Sequence, residues 1–247
     1  MEITLLGQNV NAYGKDLNLG YDFATLLENV AKIGIPRIRF VTSHPWNFTD
    51  RMVDVIAKYD NIMPYVHLPI QSGSDEILKR MNRKYTIEEY KKLFDQIKKK
   101  VKNVAKINLE IVSKRTREIR KDFNETLDLV NECKFDNAFS FIYSPREGTA
   151  AAKMEDKVPM QVKEERLQKL NELVNKYSLE SNQKMLGKTL DVLVVGLSEK
   201  DSNKVYGYTE TMKLVNIVGN KDLIGKIVPV KITDAKSFSL DGENSQE

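Results

Sequence analysis

At 247 residues the chain is long enough for one large domain, or for a domain with a small module. Hydrophobic residues make up 41% and charged residues 30%, and no apolar run approaches the roughly 18–20 residues of a membrane span. One cysteine, Cys133, excludes an internal disulfide framework and a Cys-rich zinc or iron–sulfur site made by this chain alone, while a net charge of +4 permits a polyanionic partner without demanding one.

The predicted elements alternate. Residues 3–10 read as a strand that ends in Gly7-Gln8-Asn9. Phe23, Leu26, Leu27 and Val30 then recur at helical spacing. Residues 37–42 form a second strand, ending at Ser43-His44-Pro45, and Thr49 caps the helix behind it. Residues 65–70 form a third strand, ending in Gln71-Ser72-Gly73-Ser74. Ser74 or Asp75 opens a short helix. Thr86-Ile87-Glu88-Glu89 reads as a capping box before a helix that buries Tyr90, Leu93, Phe94 and Ile97. Residues 106–112 and 138–143 are further strands, with a helix marked by Phe123, Leu127 and Val130 between them. Strand then helix, repeated at intervals of about 30 residues, implies βα units and a parallel sheet. In such folds the functional loops lie at the carboxyl ends of the strands.

Residues 162–186 form a long amphipathic helix that Gly187 ends. Beyond it, short strands at 190–195, 205–211, 213–218 and 226–233 are separated by Gly, Asn, Ser and Asp. That pattern predicts a small antiparallel barrel. The expected division is 1–186 and 187–247, with a polar, frayed tail from 241. The amino terminus has no basic stretch followed by an apolar run, so a secretory leader is not expected and the cytoplasm is the expected compartment, with no membrane partner.

Several residues invite a ligand. Gly7 permits close backbone approach, and the amides of Gln8 and Asn9 can accept from an ammonium. Gln71, Ser72 and Ser74 could meet ribose or carboxylate oxygens, although Ser74 serves equally well as a cap. His44 could face substrate or only shape a turn. Arg146, after Ser144-Pro145, could contact phosphate or form a surface ion pair. In the barrel, Lys213, Lys226 and Lys231 alternate with apolar residues beside Tyr206, Tyr208 and Phe238. A charged groove with aromatic rings suits nucleic acid, and lysines on strand edges also block pairing. The two histidines lack companions at metal-binding spacing.

Four ordered blocks carry a resemblance: Leu5-Leu6-Gly7-Gln8-Asn9-Val10-Asn11-Ala12-Tyr13-Gly14, Arg37-Ile38-Arg39-Phe40-Val41-Thr42-Ser43-His44-Pro45, His67-Leu68-Pro69-Ile70-Gln71-Ser72-Gly73-Ser74-Asp75 and Phe139-Ser140-Phe141-Ile142-Tyr143-Ser144-Pro145-Arg146-Glu147-Gly148-Thr149. They resemble the radical-SAM methylthiotransferases, and Asn9-Val10-Asn11-Ala12-Tyr13 points to a tRNA-modifying branch. The resemblance implies a partial (β/α) barrel lacking its first strand, followed by a TRAM-like barrel. It implies S-adenosylmethionine at Gly7, Gln8, Asn9, Gln71, Ser72 and Ser74. Transfer RNA would meet His44, Arg146, Lys213, Lys226 and Lys231. The implied reaction adds a methylthio group to carbon 2 of an isopentenylated adenosine next to the anticodon, with [4Fe–4S] clusters as further cofactors.

Two departures accompany the resemblance. The family's amino-terminal domain, first barrel strand and Cys-x-x-x-Cys-x-x-Cys loop have no counterpart in these residues. Lys114-Arg115-Thr116-Arg117-Glu118-Ile119 stands where the family has Gly-Phe-Pro-Gly-Glu-Thr. The chain alone is therefore expected to be inactive, with a separately encoded amino-terminal half as a candidate partner. A non-catalytic tRNA-binding fragment and a truncated product with an exposed sheet edge are the alternatives.

Overall fold

The structure is a computed structural model that describes residues 1–17, 20–104, 109–113, 120–136, 138–142, 158–199 and 201–245. Its first half is built from βα units. Strand β1 (Glu2–Leu5) pairs in parallel with β2 (Arg37–Phe40), from Glu2 opposite Arg37 to Leu5 opposite Phe40. Helix α1 (Phe23–Lys32) connects them, capped by the Asp22 carboxylate, which accepts from the Thr25 N–H. Helix α2 (Asp50–Lys58) follows β2, and Thr49 caps it as expected. The chain then returns beside β2 at Ile62, where the Ile38 N–H donates to Asn61 and the Ile38 carbonyl accepts from Met63.

Helices α3 (Asp75–Arg80) and α4 (Ile87–Lys100) come next, and the Thr86–Glu89 capping box is present. Strands β3 (Leu109–Ser113) and β4 (Ala138–Ile142) pair in parallel, joined through α5 (Arg120–Cys133). The core lies between strands and helices. Phe23, Leu27, Ile38, Phe40, Val53, Tyr90 and Ile97 are all essentially closed to solvent, each contributing about 1.5–3 kcal/mol if fully buried. Phe23 meets Phe40, and Phe94 meets Phe135, edge to face at 5.4 and 5.6 Å.

The second half is α6 (Met160–Gln183) and a closed barrel of β5 (Thr189–Leu197), β6 (Lys204–Thr209), β7 (Leu214–Val218), β8 (Ile227–Ala235) and β9 (Leu240–Asn244). The order around the barrel is β5-β6-β7-β9-β8. β-branched side chains such as Val192, Val194, Val205, Ile217, Val230 and Ile232 fill it. Branched residues suit a narrow barrel interior.

The structure corrects three expectations and leaves the strand expected at 65–70 without a partner strand among the described residues. Strand β1 stops at Leu5, because residues 10–12 form a 3-10 turn (Val10–Ala12) that passes over the end of β2, with the Val10 N–H donating to the Thr42 carbonyl at 3.1 Å. His67 and Gln71 carry backbone bridges, and among the described residues the run at 65–70 has no pairing to β1–β9. Val66, Leu68 and Ile70 are buried, but the carbonyls of His67, Leu68 and Ile70 accept from the hydroxyls of Ser43, Tyr90 and Tyr85. The tail is not frayed: Leu240–Asn244 is the strand that closes the barrel. It lies antiparallel to β8 and parallel to β7, so one seam departs from the antiparallel pattern. Helix α6 ends at Gln183 rather than 186, and Gly187 beyond it already donates to the Ile232 carbonyl of the barrel.

The two halves meet through β2. Ile38 and Phe40 join the apolar core, whereas Arg37 and Arg39 leave on the other face, as strand alternation requires. Arg37, 2% exposed, donates to the carbonyls of Tyr208 and Asp191 at 2.9 and 2.7 Å. Arg39, 3% exposed, donates to the carbonyls of Glu210 and Thr209 at 2.8 Å and pairs with Glu2 at 2.8 Å. On the other flank, Ser178 and Asn182 of α6 donate to the carbonyls of Ser237 and Lys236.

Candidate functional site at the strand ends

The loops after β1 and β2 are stitched together, and Ser43 links the second to the carbonyl of His67. Asn11 and His44 form a reciprocal pair: the Asn11 amide donates to the His44 carbonyl at 2.9 Å, and the His44 N–H donates to Asn11 Oδ1 at 2.8 Å. Burial, followed by the positive charge of Arg83, holds the His44 pKa below its ordinary value and favours the neutral ring.

Two non-glycine residues here adopt left-handed backbone: Thr42 at φ 62° and Gln71 at φ 74°. Such conformations cost of order 1–3 kcal/mol each and gather where a fold must present groups to a ligand. Both sit at the end of an extended segment, on the same rim.

Gly7 and Gln8 are exposed, and Asn9 is half-buried. A Cβ on Gly7 would come no nearer than 3.4 Å to Val10 Cα, so the protein's own packing does not require glycine there. Asn9 Oδ1 is buried and meets no hydrogen-bond partner among the described residues. A buried acceptor without a donor carries a cost of about 1–3 kcal/mol, which an incoming cation or N–H would relieve.

The next loop differs. Gln71, Ser72 and Ser74 are all buried. Ser74 does not cap α3; its hydroxyl donates to Asp122 of α5 at 2.8 Å, and Ser72 Oγ accepts from the Ser74 N–H. Gly73 lies against α5, where its N–H donates to Thr126 Oγ1 at 3.0 Å. An added Cβ would fall 2.5 Å from Thr126 Cα and 2.6 Å from the Glu125 carbonyl oxygen, so this glycine is demanded by close approach. The serines thus build the wall of the site, and Gln71, 7% exposed, precedes them in the loop.

In the barrel the three lysines separate. Lys226 and Lys231 are exposed. Lys213 is not an outward-facing cation: it reaches back to Asn182 Oδ1 at 2.7 Å and Ser181 Oγ at 3.1 Å on α6, with Asp136 at 3.8 Å, and its side chain is 10% exposed. It ties the barrel to α6 instead of offering itself to a polyanion. Tyr206 and Tyr208 share one face of β6 in an edge-to-face pair, and Phe238 is 72% exposed. Arg146 and residues 114–119 lie outside the described residues.

Sequence reasoning missed Arg37 and Arg39, and it missed Trp46 and Arg83. Two arginines alternating with Ile38 and Phe40 in a buried strand were the available signal, because guanidinium groups on a covered face need acceptors. Trp46 and Arg83 gather with His44 and Tyr85 at the same rim.

The sequence pattern of the Radical SAM superfamily matches residues 2–130, more than half of the chain. The chain belongs to the radical SAM superfamily. The TRAM domain pattern matches residues 183–244, which enclose the barrel. A curated relative from Staphylococcus epidermidis, tRNA-2-methylthio-N(6)-dimethylallyladenosine synthase, is 51% identical over all 247 residues and 48% of its own length. The protein of the same name from Bacillus cytotoxicus is 52% identical over the same shares. The chain spans about half the length of the curated relatives it matches. Among solved structures, coproporphyrinogen III oxidase of Escherichia coli, a radical SAM enzyme, superposes with a TM-score of 0.52 at 15% identity, covering 76% of this chain and 51% of that one, which shows a shared fold.

Membership of the radical SAM superfamily implies S-adenosylmethionine and an iron–sulfur cluster. Asn9 fits the first, since its buried, unmet acceptor suits an ammonium donor. Cys133 does not fit the second. It is 5% exposed on α5, and burial pushes its thiol up to about 12, so the thiolate a cluster needs is strongly disfavoured. Among the described residues no group of three or more His, Cys, Asp and Glu could hold a metal ion. No helix among them is long and apolar enough to cross a membrane.

Proposed function

We propose that this chain is the cofactor-binding and RNA-binding portion of a cytoplasmic tRNA methylthiotransferase. Its reaction would add a methylthio group to carbon 2 of an isopentenylated adenosine next to the anticodon. The observation that carries the reading is identity of 51% to a relative of that name over every residue of this chain. Residues 1–186 would bind S-adenosylmethionine, and residues 187–247 would bind RNA.

Within this reading, Asn9 Oδ1 accepts from the amino group of S-adenosylmethionine, with Gly7 and Gln8 giving their backbone beside it. Gln71 faces the ligand from the adjoining loop. Ser72 and Ser74 act at one remove, by fixing that loop on α5. S-adenosylmethionine supplies the sulfonium that the family's chemistry cleaves. Cleavage needs cluster thiolates that residues 1–247 do not contain, so this chain by itself holds the cofactor without consuming it. Lys226 and Lys231 offer the phosphate contacts, and Arg37 and Arg39 fix the barrel relative to the strand ends.

Calorimetric titration with S-adenosylmethionine tests the cofactor site: binding is expected, and Asn9→Ala should lower the affinity about tenfold, the loss of one hydrogen bond to a charged group. Equal binding by wild type and variant overturns the assignment of Asn9. Anaerobic treatment with iron and sulfide, followed by iron analysis, tests the inactivity. Four irons per chain with cleavage of the cofactor would refute it.

A second reading, a non-catalytic tRNA binder, is favoured by the burial of Cys133 alongside exposed Lys226 and Lys231. It predicts retention of tRNA on filters that weakens with salt, and no heat of binding with S-adenosylmethionine.

A further inference from the structure

We propose that Trp46, with Arg83 and Tyr85, is a stacking platform for an unpaired RNA base beside the strand ends, an inference that rests on the RNA-binding reading above. Trp46 lies on a 3-10 turn (Pro45–Asn47) directly after the β2 loop. Its neighbours Pro45 and Asn47 are buried, yet Trp46 itself is 37% exposed. The turn anchors on both sides of the indole and leaves the indole outside.

The ring geometry sets this place apart. The core pairs Phe23–Phe40 and Phe94–Phe135, and the barrel pair Tyr206–Tyr208, meet edge to face at 70°, 74° and 88°. At the rim the planes run nearly parallel: His44 lies 4.5 Å from Trp46 at 25°, and Tyr85 lies 5.8 Å from it at 26°. A row of nearly parallel rings is the arrangement that a flat base extends.

Charge supports the same occupant. The Arg83 guanidinium stands 5.8 Å from the Trp46 ring centroid, and its Nε is buried with no hydrogen-bond partner among the described residues. The indole borders a groove with Phe48 and Tyr85, where exposed Lys84 provides a cation, while Lys92 on the same groove pairs with Glu88 at 2.8 Å. The two carboxylates in that groove are engaged: Glu89 accepts from the Thr86 N–H and hydroxyl in the capping box, and Asp50 accepts from Gln96 at 2.8 Å. Aromatic surface, the Arg83 and Lys84 cations and occupied acids together recognise a base with its phosphates. His44, stacked on Trp46 and paired through its backbone with Asn11, ties the platform to the turn that follows Gly7-Gln8-Asn9.

Trp46 is the sole tryptophan, so its fluorescence in the whole chain reports this site. Titration with a single-stranded adenine heptaribonucleotide should quench it, and an abasic heptamer of the same charge should not. Arg83→Gln should weaken the quenching titration several-fold. Trp46→Ala, read by filter binding, should lose about tenfold in affinity for the adenine heptamer, with Trp46→Phe losing less. Circular dichroism of each variant checks the fold. RNA retained on the filter with unchanged tryptophan emission overturns the platform and leaves the RNA-binding reading standing. Equal quenching by the abasic heptamer also overturns it, since phosphates alone would then suffice. RNA that is not retained at all ends both proposals.

Discussion

In the carboxyl-terminal barrel each of β5 to β9 has a neighbour on both sides, and the interior is almost entirely valine, isoleucine and leucine. The parallel half is built otherwise. Among the described residues the ladders β1–β2 and β3–β4 hold two strands each, and three carbonyls of the extended run at 65–70 accept from side-chain hydroxyls. Left-handed non-glycine backbone occurs in both halves, at Thr42 and Gln71 here and at Met212 in the β6–β7 turn, but the unmet Asn9 acceptor falls in the parallel half. A closed barrel satisfies itself and so can be carried as a module. The parallel half keeps its loops in costly conformations and depends on cross-links, several of which run to the barrel.

The largest expected effect breaks that dependence. Arg39→Ala removes donors from the carbonyls of Thr209 and Glu210 and strands Glu2; loss of one partner of a buried charged pair costs about 3–5 kcal/mol. In guanidinium unfolding, Trp46 emission, which reports the parallel half, should shift to lower denaturant than the circular dichroism of the barrel strands. Coincident, unshifted transitions would show that the arginines do not couple the halves. Next comes Gly73→Ala, where the new Cβ must displace α5, at about 1–3 kcal/mol; Gly7→Ala should leave the melting temperature nearly unchanged. If both alanines cost the same, the contrast between wall and rim fails.

Among the barrel lysines, Lys213→Met should cost about 1–2 kcal/mol in a thermal melt because Asn182 and Ser181 lose their partner. Lys226→Glu and Lys231→Glu should leave the melt alone and lower the salt slope of RNA binding by about 1 each. A slope that Lys213→Met changes as much as Lys226→Glu would return Lys213 to the RNA surface. The smallest effect is titrational. The folded-state pKa of His44 lies below its ordinary 6.5, so the unfolded chain takes up the proton first. Its stabilising contribution is therefore complete above about pH 6.5 and is lost as pH falls from there through the folded value. Unfolding midpoints at pH 7.5 and 5.5 should differ less in His44→Gln than in the parent chain.

Helical periodicity and caps were legible: Thr49, the Thr86–Glu89 box and the Tyr90–Ile97 face stand where spacing puts them. Strand β9 was not, because Leu240-Asp-Gly-Glu-Asn offers one apolar residue. Its pairing comes from register with β7 and β8, which no local pattern encodes. The site was legible as a set of loops but not as a set of roles. Ser74 has the composition of a cap, yet the carboxylate that claims its hydroxyl lies 48 residues away. Lys213 reads as an edge lysine until α6 packs over it. Arg37 and Arg39 have acceptors 154 to 171 residues distant.

The buried thiol of Cys133 has a practical consequence. Held as an un-ionised group on the buried face at the end of α5, it should ignore alkylating reagents while the native packing persists. The speed at which iodoacetamide captures it then counts how often that helix lifts away, giving a clock for local opening that needs no engineered label.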